Sequence, residues 1–348
     1  MAADSELQFF LPMNNSKKNQ RPRAADLIRP RNLAPGDTIG ITAPASAPPN
    51  PRTLDVGVAA LERLGYRVKL AKHARARNGF LAGTDRERAA DLMSLFTDRA
   101  VNAILCVRGG YGAGRLVPLL DYGVIRRHAK IFIGYSDVTV LHCAFLAQAG
   151  LVSFHGPMLA GDFARDRMPA FTLESFRRTL ERGHAGDVAA GYHAKTVKVL
   201  RRGRARGHLV GGNLSLLCSL VGTPWLPDFR GRILFLEDVG EQPYRFDRML
   251  THLLNAGLLQ QVSGIAVGLN ADCEDPKAKE SKEYRQTVAD VLRERLRPLK
   301  VPVVTGLPFG HTPVNATLPV GVMATVDGDA GQLLLEEPGV TMPERSAR

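Results

Sequence analysis

Residues suited to nucleophilic chemistry stand where apolar runs of this chain end. Ile131-Phe132-Ile133-Gly134-Tyr135-Ser136-Asp137 carries a short apolar run, read as a buried strand, straight into Gly-x-Ser, and a helical pattern follows. A serine at such a junction sits on a sharp turn at the carboxyl edge of a sheet. The turn exposes the hydroxyl and brings the N–H of the next residue, Asp137, near enough to stabilise an oxyanion. The match to G-x-S-x-G is partial, because Val138 stands at the second glycine. Capping the following helix is the competing role for Ser136, and on this segment alone it is slightly favoured.

Two further runs end on partners that a serine needs. Ile233-Leu234-Phe235-Leu236-Glu237-Asp238 closes an apolar run on carboxylates, which can orient a histidine; a pair of solvated loop acids is the plainer reading. Leu307-Pro308-Phe309-Gly310-His311-Thr312-Pro313 sets one of nine histidines on a Gly/Pro-rich loop after the apolar run Val301–Val304. A serine hydroxyl needs an adjacent base, and the base needs an acid to fix its tautomer. In the order Ser136, Glu237, His311 the set is chemically complete. Arg108-Gly109-Gly110-Tyr111-Gly112-Ala113-Gly114-Arg115 fails the dinucleotide spacing G-x-G-x-x-G, since Arg115 occupies the last glycine position. Its backbone can instead approach a substrate, and Gly110 is a candidate second oxyanion donor; a tight turn is the alternative. No H-E-x-x-H and no Cys/His pair at ligand spacing is present, so no metal is expected.

The elements that must position these residues alternate through the first half. Strands are expected at Thr38–Thr42, Tyr66–Leu70, Ala103–Val107, Lys130–Gly134 and Leu151–Phe154. Helices are expected at Leu54–Leu64, Asp85–Phe96 capped by Thr84, Gly114–Leu120 and Val138–Gln148. Such alternation makes an α/β fold, an open parallel sheet with helices on both faces. Its chemistry belongs where strands end and helices begin. Beyond residue 200 the pattern becomes α+β: a strand near Val197–Leu200, a turn at Gly211-Gly212, and helices at Leu214–Val221, Arg245–Ala256 and Ser281–Arg295. Strands are expected there at Arg232–Leu236, Ile265–Leu269, Val301–Thr305 and Val320–Val326. The chain divides into a tail (1–32), an N-terminal domain (33–165), a link (166–200), a C-terminal domain (201–335) and a second tail (336–348).

With 348 residues and 45% hydrophobic content, the chain is long enough for two domains. The net charge of +12 gathers in the N-terminal tail and between Lys195 and Arg206. With 6% aromatic residues and no nucleic-acid motif, these clusters read as solvated basic surface, and neither nucleic acid nor membrane is an expected partner. The first 23 residues hold no signal-peptide hydrophobic region, and no run spans a bilayer. Cys106, Cys143, Cys218 and Cys273 read as reduced, mostly buried thiols, and with no signal-peptide pattern a cytoplasmic protein is expected.

The chain closely resembles the LD-carboxypeptidases, or muramoyltetrapeptide carboxypeptidases. The matching stretches are GDTIGITAPAS (36–46), RGGYGAGRL (108–116), IFIGYSDVT (131–139), FHGPM (154–158), GGNLSLL (211–217), ILFLEDVGEQPYRFDRML (233–250) and GLPFGHT (306–312). The resemblance implies a flavodoxin-like or amidotransferase-like nucleophile domain and a β-rich α+β domain supplying Glu and His. It puts the nucleophile on Ser136, the acid on Glu237 and the base on His311, with oxyanion donors at Asp137 and the Gly109-Gly110 turn. It implies a homodimer without cofactor that releases terminal D-Ala from murein tetrapeptides during cell-wall recycling. Such a reaction requires a site for the free D-Ala carboxylate, and Arg108 is the candidate. The polar loop Ala271–Glu283 reads as an insertion. The nearest rival is the microcin-immunity type of peptidase, which cuts an aminoacyl-nucleotide analogue and carries an aromatic residue on an added loop. The single tryptophan, Trp225, is not in an obvious extra loop. A non-catalytic binding module and a nucleotide-dependent oxidoreductase rank lower, the first against three intact triad positions, the second against the failed glycine spacing.

Overall fold

The computed structural model describes residues 26–193, 195–276 and 286–343. The first half builds β1 (Thr38–Thr42), α1 (Arg52–Arg63), β2 (Arg67–Leu70), α2 (Asp85–Thr97), β3 (Ala103–Cys106), α3 (Tyr122–Arg127), β4 (Ile131–Gly134), α4 (Thr139–Ala144) and β5 (Ser153–His155). β3 and β4 are buried at every position, as strands covered on both faces must be. β2, β1, β3, β4 and β5 are parallel neighbours in that order. Thr42 pairs with Cys106, Leu105 with Ile133, and Gly134 with His155, so these strands end level with one another. The loops after β3 and β4 therefore leave the sheet side by side.

α2 opens on the expected cap: Thr84 accepts from the Glu87 N–H and Glu87 returns a bond to the Thr84 N–H. The helix expected at Gly114–Leu120 is replaced by 3₁₀ turns at Ala113–Arg115 and Val117–Leu119. Pro118 lacks an N–H and disfavours helical geometry at Val117, so the regular helix starts only at α3, capped by Asp121. The helix expected at Val138–Gln148 begins as a 3₁₀ turn at Ser136–Val138 and ends as a π turn at Phe145–Ala149.

The second half builds α5 (Ala170–Leu180), β6 (Gly186–Asp187), β7 (Lys198–Arg201), β8 (Arg204–Asn213), α6 (Leu214–Ser219), β9 (Ile233–Glu237), α7 (Pro243–Asn255), β10 (Gly264–Leu269), α8 (Val288–Leu296), β11 (Val303–Gly310), β12 (Leu318–Val320), β13 (Met323–Asp327) and β14 (Gln332–Leu335). Its eight-stranded sheet runs β6-β14-β13-β8-β9-β10-β11-β7. The four central strands, β8 to β11, are parallel, and the flanking ones are antiparallel. The basic stretch and glycine turn expected between Lys195 and Gly212 prove to be largely β8. Its first half pairs with β13 and its second half with β9. Gly211 and Gly212 lie inside this strand at φ values of 143° and 142°, which only glycine adopts readily.

The strand expected at Val320–Val326 divides at Gly321, where φ is 108°. β12 lies antiparallel to β5 in the first sheet, while β13 joins the second. Residues on either side of the two sheets are also engaged: Ile28 bridges Leu151, Arg31 bridges Thr341, and Val340 is buried. Residues 1–25, 344–348, and 277–285 within the helix and polar loop expected near Ala271–Arg295 lie outside the described residues; α8 covers the later part of that helix.

Candidate active site

The parallel strands of the two sheets bring their carboxyl edges together. Gly134 ends β4, Glu237 ends β9, and Gly310 ends β11. The register Asn213 to Glu237 and Leu269 to Gly310 keeps the second sheet's edge level. The Asn213 N–H donates to Thr139 Oγ1 at 3.0 Å across the seam. A Cβ on Gly212 would lie 2.6 Å from the Thr139 side chain, so the seam closes only around glycine.

Ser136 occupies the first position after the Gly134-Tyr135 turn, with φ 66°. A non-glycine residue held there is strained by about 1–3 kcal/mol. Ser136 does not cap the helix: the N-cap of α4 is Val138, and neither it nor the 3₁₀ turn has a side-chain capping bond. The Gly109-Gly110 turn lies directly against it. A Cβ on Gly109 would fall 2.7 Å from Ser136 Cβ, 2.9 Å from its Oγ and 3.2 Å from the Asp137 nitrogen. Gly110, at φ 108°, is as crowded, with Ser46 Oγ 2.6 Å from its notional Cβ. Among the described residues, the amides of Gly110 and Asp137 have no protein acceptor. Arg108 enters no ion pair among them; its Nη1 donates to the Ala47 carbonyl at 3.4 Å.

His311 Nδ1 and Glu237 Oε2 are 2.6 Å apart. Glu237 and Asp238 are both buried, so the solvated-acid reading fails for each. Asp238 is held by the Asn213 side chain at 2.8 Å and the Ser215 N–H at 2.9 Å, and burial pushes its carboxyl up to about 6. Burial pulls the His311 imidazole down, but the hydrogen bond and charge of Glu237, with Asp238 and Asp162 behind it, leave it above the ordinary histidine value. Engagement of Nδ1 leaves Nε2 for proton transfer. The edge of Tyr135, the residue before Ser136, packs on the His311 ring with centroids 4.9 Å apart. No hydrogen bond joins Ser136 to His311 among the described residues. The structure thus joins Glu237 to His311 and brings Ser136, Asp137 and the Gly109-Gly110 turn to the facing edge.

Sequence reasoning passed over several residues of this edge. Asn315, buried, accepts the Gly310 N–H at 3.1 Å and so steadies the histidine loop. His155 lies inside β5, buried between Tyr135, Phe235 and Phe309, and burial holds it neutral, well below its ordinary value. His142 bonds Ser153 and the Gly134 carbonyl at 2.8 Å each, anchoring the end of β4 from beneath. Their only sequence signal was position beside the strand ends. Among the described residues no helix is long and apolar enough to cross a membrane, and no group of His, Cys, Asp or Glu is placed to hold a metal.

A two-sheet α/β fold of this kind is shared with known proteins. The LD-carboxypeptidase N-terminal domain matches residues 39–156 and the LD-carboxypeptidase C-terminal domain residues 206–326. The chain is 40% identical over 313 residues to the probable murein peptide carboxypeptidase of Bacillus subtilis, covering 90% of this chain and 95% of that protein. The crystal structure of muramoyltetrapeptide carboxypeptidase from Oxalobacter formigenes is similar with a TM-score of 0.74 and 33% identity, over 86% of this chain and 99% of that one. The Escherichia coli microcin C7 self-immunity protein MccF is 31% identical over 336 residues, 88% of this chain and 94% of that protein. A structure of MccF is similar with a TM-score of 0.80 and 28% identity, over 90% of this chain and 100% of that one. This chain belongs to the LD-carboxypeptidase family, and it is a peptidase.

Proposed function

We propose that the enzyme releases the terminal D-Ala of murein tetrapeptides through an acyl-enzyme on Ser136, with His311 as base and Glu237 as the acid that orients it. The observation that carries the reading is the Glu237–His311 pair facing the strained Ser136 turn across the joined sheet edges. The murein substrate is supported by the relatives named as murein peptide and muramoyltetrapeptide carboxypeptidases.

In the first step His311 Nε2 takes the Ser136 proton as Oγ attacks the carbonyl carbon of the scissile L,D-bond. Nucleophile and base are often further apart without substrate than in the reacting complex. The amides of Asp137 and Gly110 receive the oxyanion. The C–N bond breaks, His311 returns the proton to the leaving D-Ala amine, and water then attacks the ester with His311 again as base. Arg108 receives the free carboxylate of D-Ala. We place this enzyme in the cytoplasm as a homodimer acting in cell-wall recycling, with no cofactor, as the family resemblance implies. The domain limits 33–165 and 201–335, joined by 166–200, are part of the same reading.

The MccF similarity supports a second reading, cleavage of an aminoacyl-nucleotide analogue; one MccF structure is a complex with aspartyl sulfamoyl adenosine. Trp225 is half-buried and packed on the core, which does not suit a base-stacking role. Mass spectrometry of L-Ala-γ-D-Glu-meso-diaminopimelate-D-Ala incubated with wild type and Ser136→Ala tests the first reading. Loss of one D-Ala with wild type alone is expected. Cleavage of aspartyl sulfamoyl adenosine in its place would move the substrate to the second.

A further inference from the structure

Arg88 and Asp137 are buried charged residues beside the glycine turn, and neither side chain has a part in the reaction described above. Arg88, on α2, is 1% exposed and Asp137 is 2% exposed. Arg88 Nη1 donates to the Gly112 carbonyl at 2.9 Å and also to the Pro44 carbonyl. Asp137 Oδ2 accepts the Ala113 N–H at 2.7 Å. The Gly112 carbonyl and the Ala113 N–H are the two ends of one peptide unit. That unit is gripped from one side by a guanidinium and from the other by a carboxylate. A donor on an amide carbonyl polarises the same amide's N–H, so the two charge-assisted bonds reinforce each other.

We propose that Arg88 and Asp137 form a two-sided clamp on the Gly112–Ala113 peptide, positioning the Gly109-Gly110 turn over Ser136. Asp137 then acts twice. Its amide lies against Gly109, and its carboxylate holds the loop that carries the other donor amide. One residue sets the spacing between the two oxyanion donors. Arg88 adds the Pro44 carbonyl, and so fixes the Ser46 segment that supports Gly110 from outside. Asp85, paired with Arg88 at the solvent side, balances the guanidinium charge that the peptide does not. The inference rests on the functional reading for its kinetic consequence, but the clamp itself can be tested without activity.

The test compares wild type, Asp137→Ala and the isosteric Asp137→Asn in hydrogen exchange and kinetics. Exchange of the Ala113 amide is expected to speed up by at least ~10-fold in Asp137→Ala, while amides of β8 and β9 keep their protection. Asp137→Asn, which retains an acceptor oxygen without the charge, is expected to fall between. On the cleaved substrate, kcat is expected to drop by on the order of 100-fold in Asp137→Ala with KM nearly unchanged, since the lost geometry serves only the transition state. Asp137→Asn restores part of kcat. If Asp137→Ala does not fold, Asp137→Asn carries both readouts. Ala113 exchange at the wild-type rate in the variants would overturn the clamp, as would a rise in KM at constant kcat. A wild type inactive on both the murein peptide and the nucleotide analogue would sink the functional reading instead, and the exchange result would still decide the clamp.

Discussion

Glu237 and His311 are 74 residues apart in the chain, and their carboxylate and imidazole meet at 2.6 Å with the carboxylate wholly buried. Two forces oppose each other at this ring. Burial, the largest single influence, disfavours the imidazolium, and the bond and charge of Glu237 with the charges of Asp238 and Asp162 together favour it more. The second wins, so His311 binds its proton more tightly than a free histidine.

A general base works only when neutral, so this balance fixes the sign of the pH dependence. The acid limb of kcat/KM is expected above the ordinary histidine value of about 6.5, with activity lost as pH falls through it. Glu237→Gln removes the charge that raises the imidazole while burial remains. The limb should move to lower pH, and kcat should fall by on the order of 10³–10⁴, the scale set by losing the tautomer-fixing acid of a serine triad. A pH–rate profile of the two proteins checks this; an unmoved limb in Glu237→Gln would show that another group titrates.

Gly110 tests the facing edge. It sits at φ 108°, and a Cβ there would meet Ser46 Oγ at 2.6 Å and Ser46 Cβ at 2.7 Å. Gly110→Ala must shift the turn away from Ser46, and so change the direction of the Gly110 amide. A loss of about 100-fold in kcat is expected, the cost of misplacing one oxyanion donor. The accompanying fall in thermal midpoint should be modest, since the turn is at the mouth of the site. Steady-state kinetics beside a melting curve would contradict this if activity survived while the fold weakened.

Much of this site was legible in the sequence because buried parallel strands announce themselves as unbroken apolar runs. IFIG, ILFLE and the run into GLPFG each end on, or one or two residues before, a residue with chemistry, and each is a strand at the shared edge. The less legible parts depend on tertiary context. β8 was hidden because basic residues alternate along its exposed first half and glycines fill its second. The glycines read as a turn until the backbone of β9 is laid against them. β12 and β13 read as one strand because nothing local says that Gly321 carries the chain from one sheet to the other. The acids Glu237 and Asp238 looked solvated since burial is a property of the opposed sheet, not of the segment.

Arg108 yields a prediction about specificity. Among the described residues its guanidinium has no carboxylate partner, and it donates to the Ala47 carbonyl. A charge-assisted bond to a substrate carboxylate contributes about 1.5–3 kcal/mol. Arg108→Ala should therefore lower kcat/KM for the free-acid tetrapeptide by on the order of 10–100-fold. The same peptide ending in D-alaninamide lacks the charge, and its slower cleavage should be nearly indifferent to the substitution. Equal losses on acid and amide would remove Arg108 from the carboxylate site.

Gly211 tests the scaffold rather than the chemistry. It pairs with Phe235 in the parallel ladder at φ 143°, and a Cβ would stand 1.9 Å from the Phe235 carbonyl oxygen. That oxygen belongs to β9 backbone two residues before Glu237, so relief of the clash must displace the strand that delivers the acid. Gly222 separates strain from collision, because it too has a positive φ, 83°, but faces open space. Gly222→Ala should cost about 1–2 kcal/mol, the backbone term alone. Gly211→Ala adds overpacking against main chain that cannot rotate away, and its total should exceed that of Gly222→Ala by at least ~2 kcal/mol. Denaturant titration of both variants measures the difference, and equal midpoints would mean that β8 and β9 have room the packing does not show.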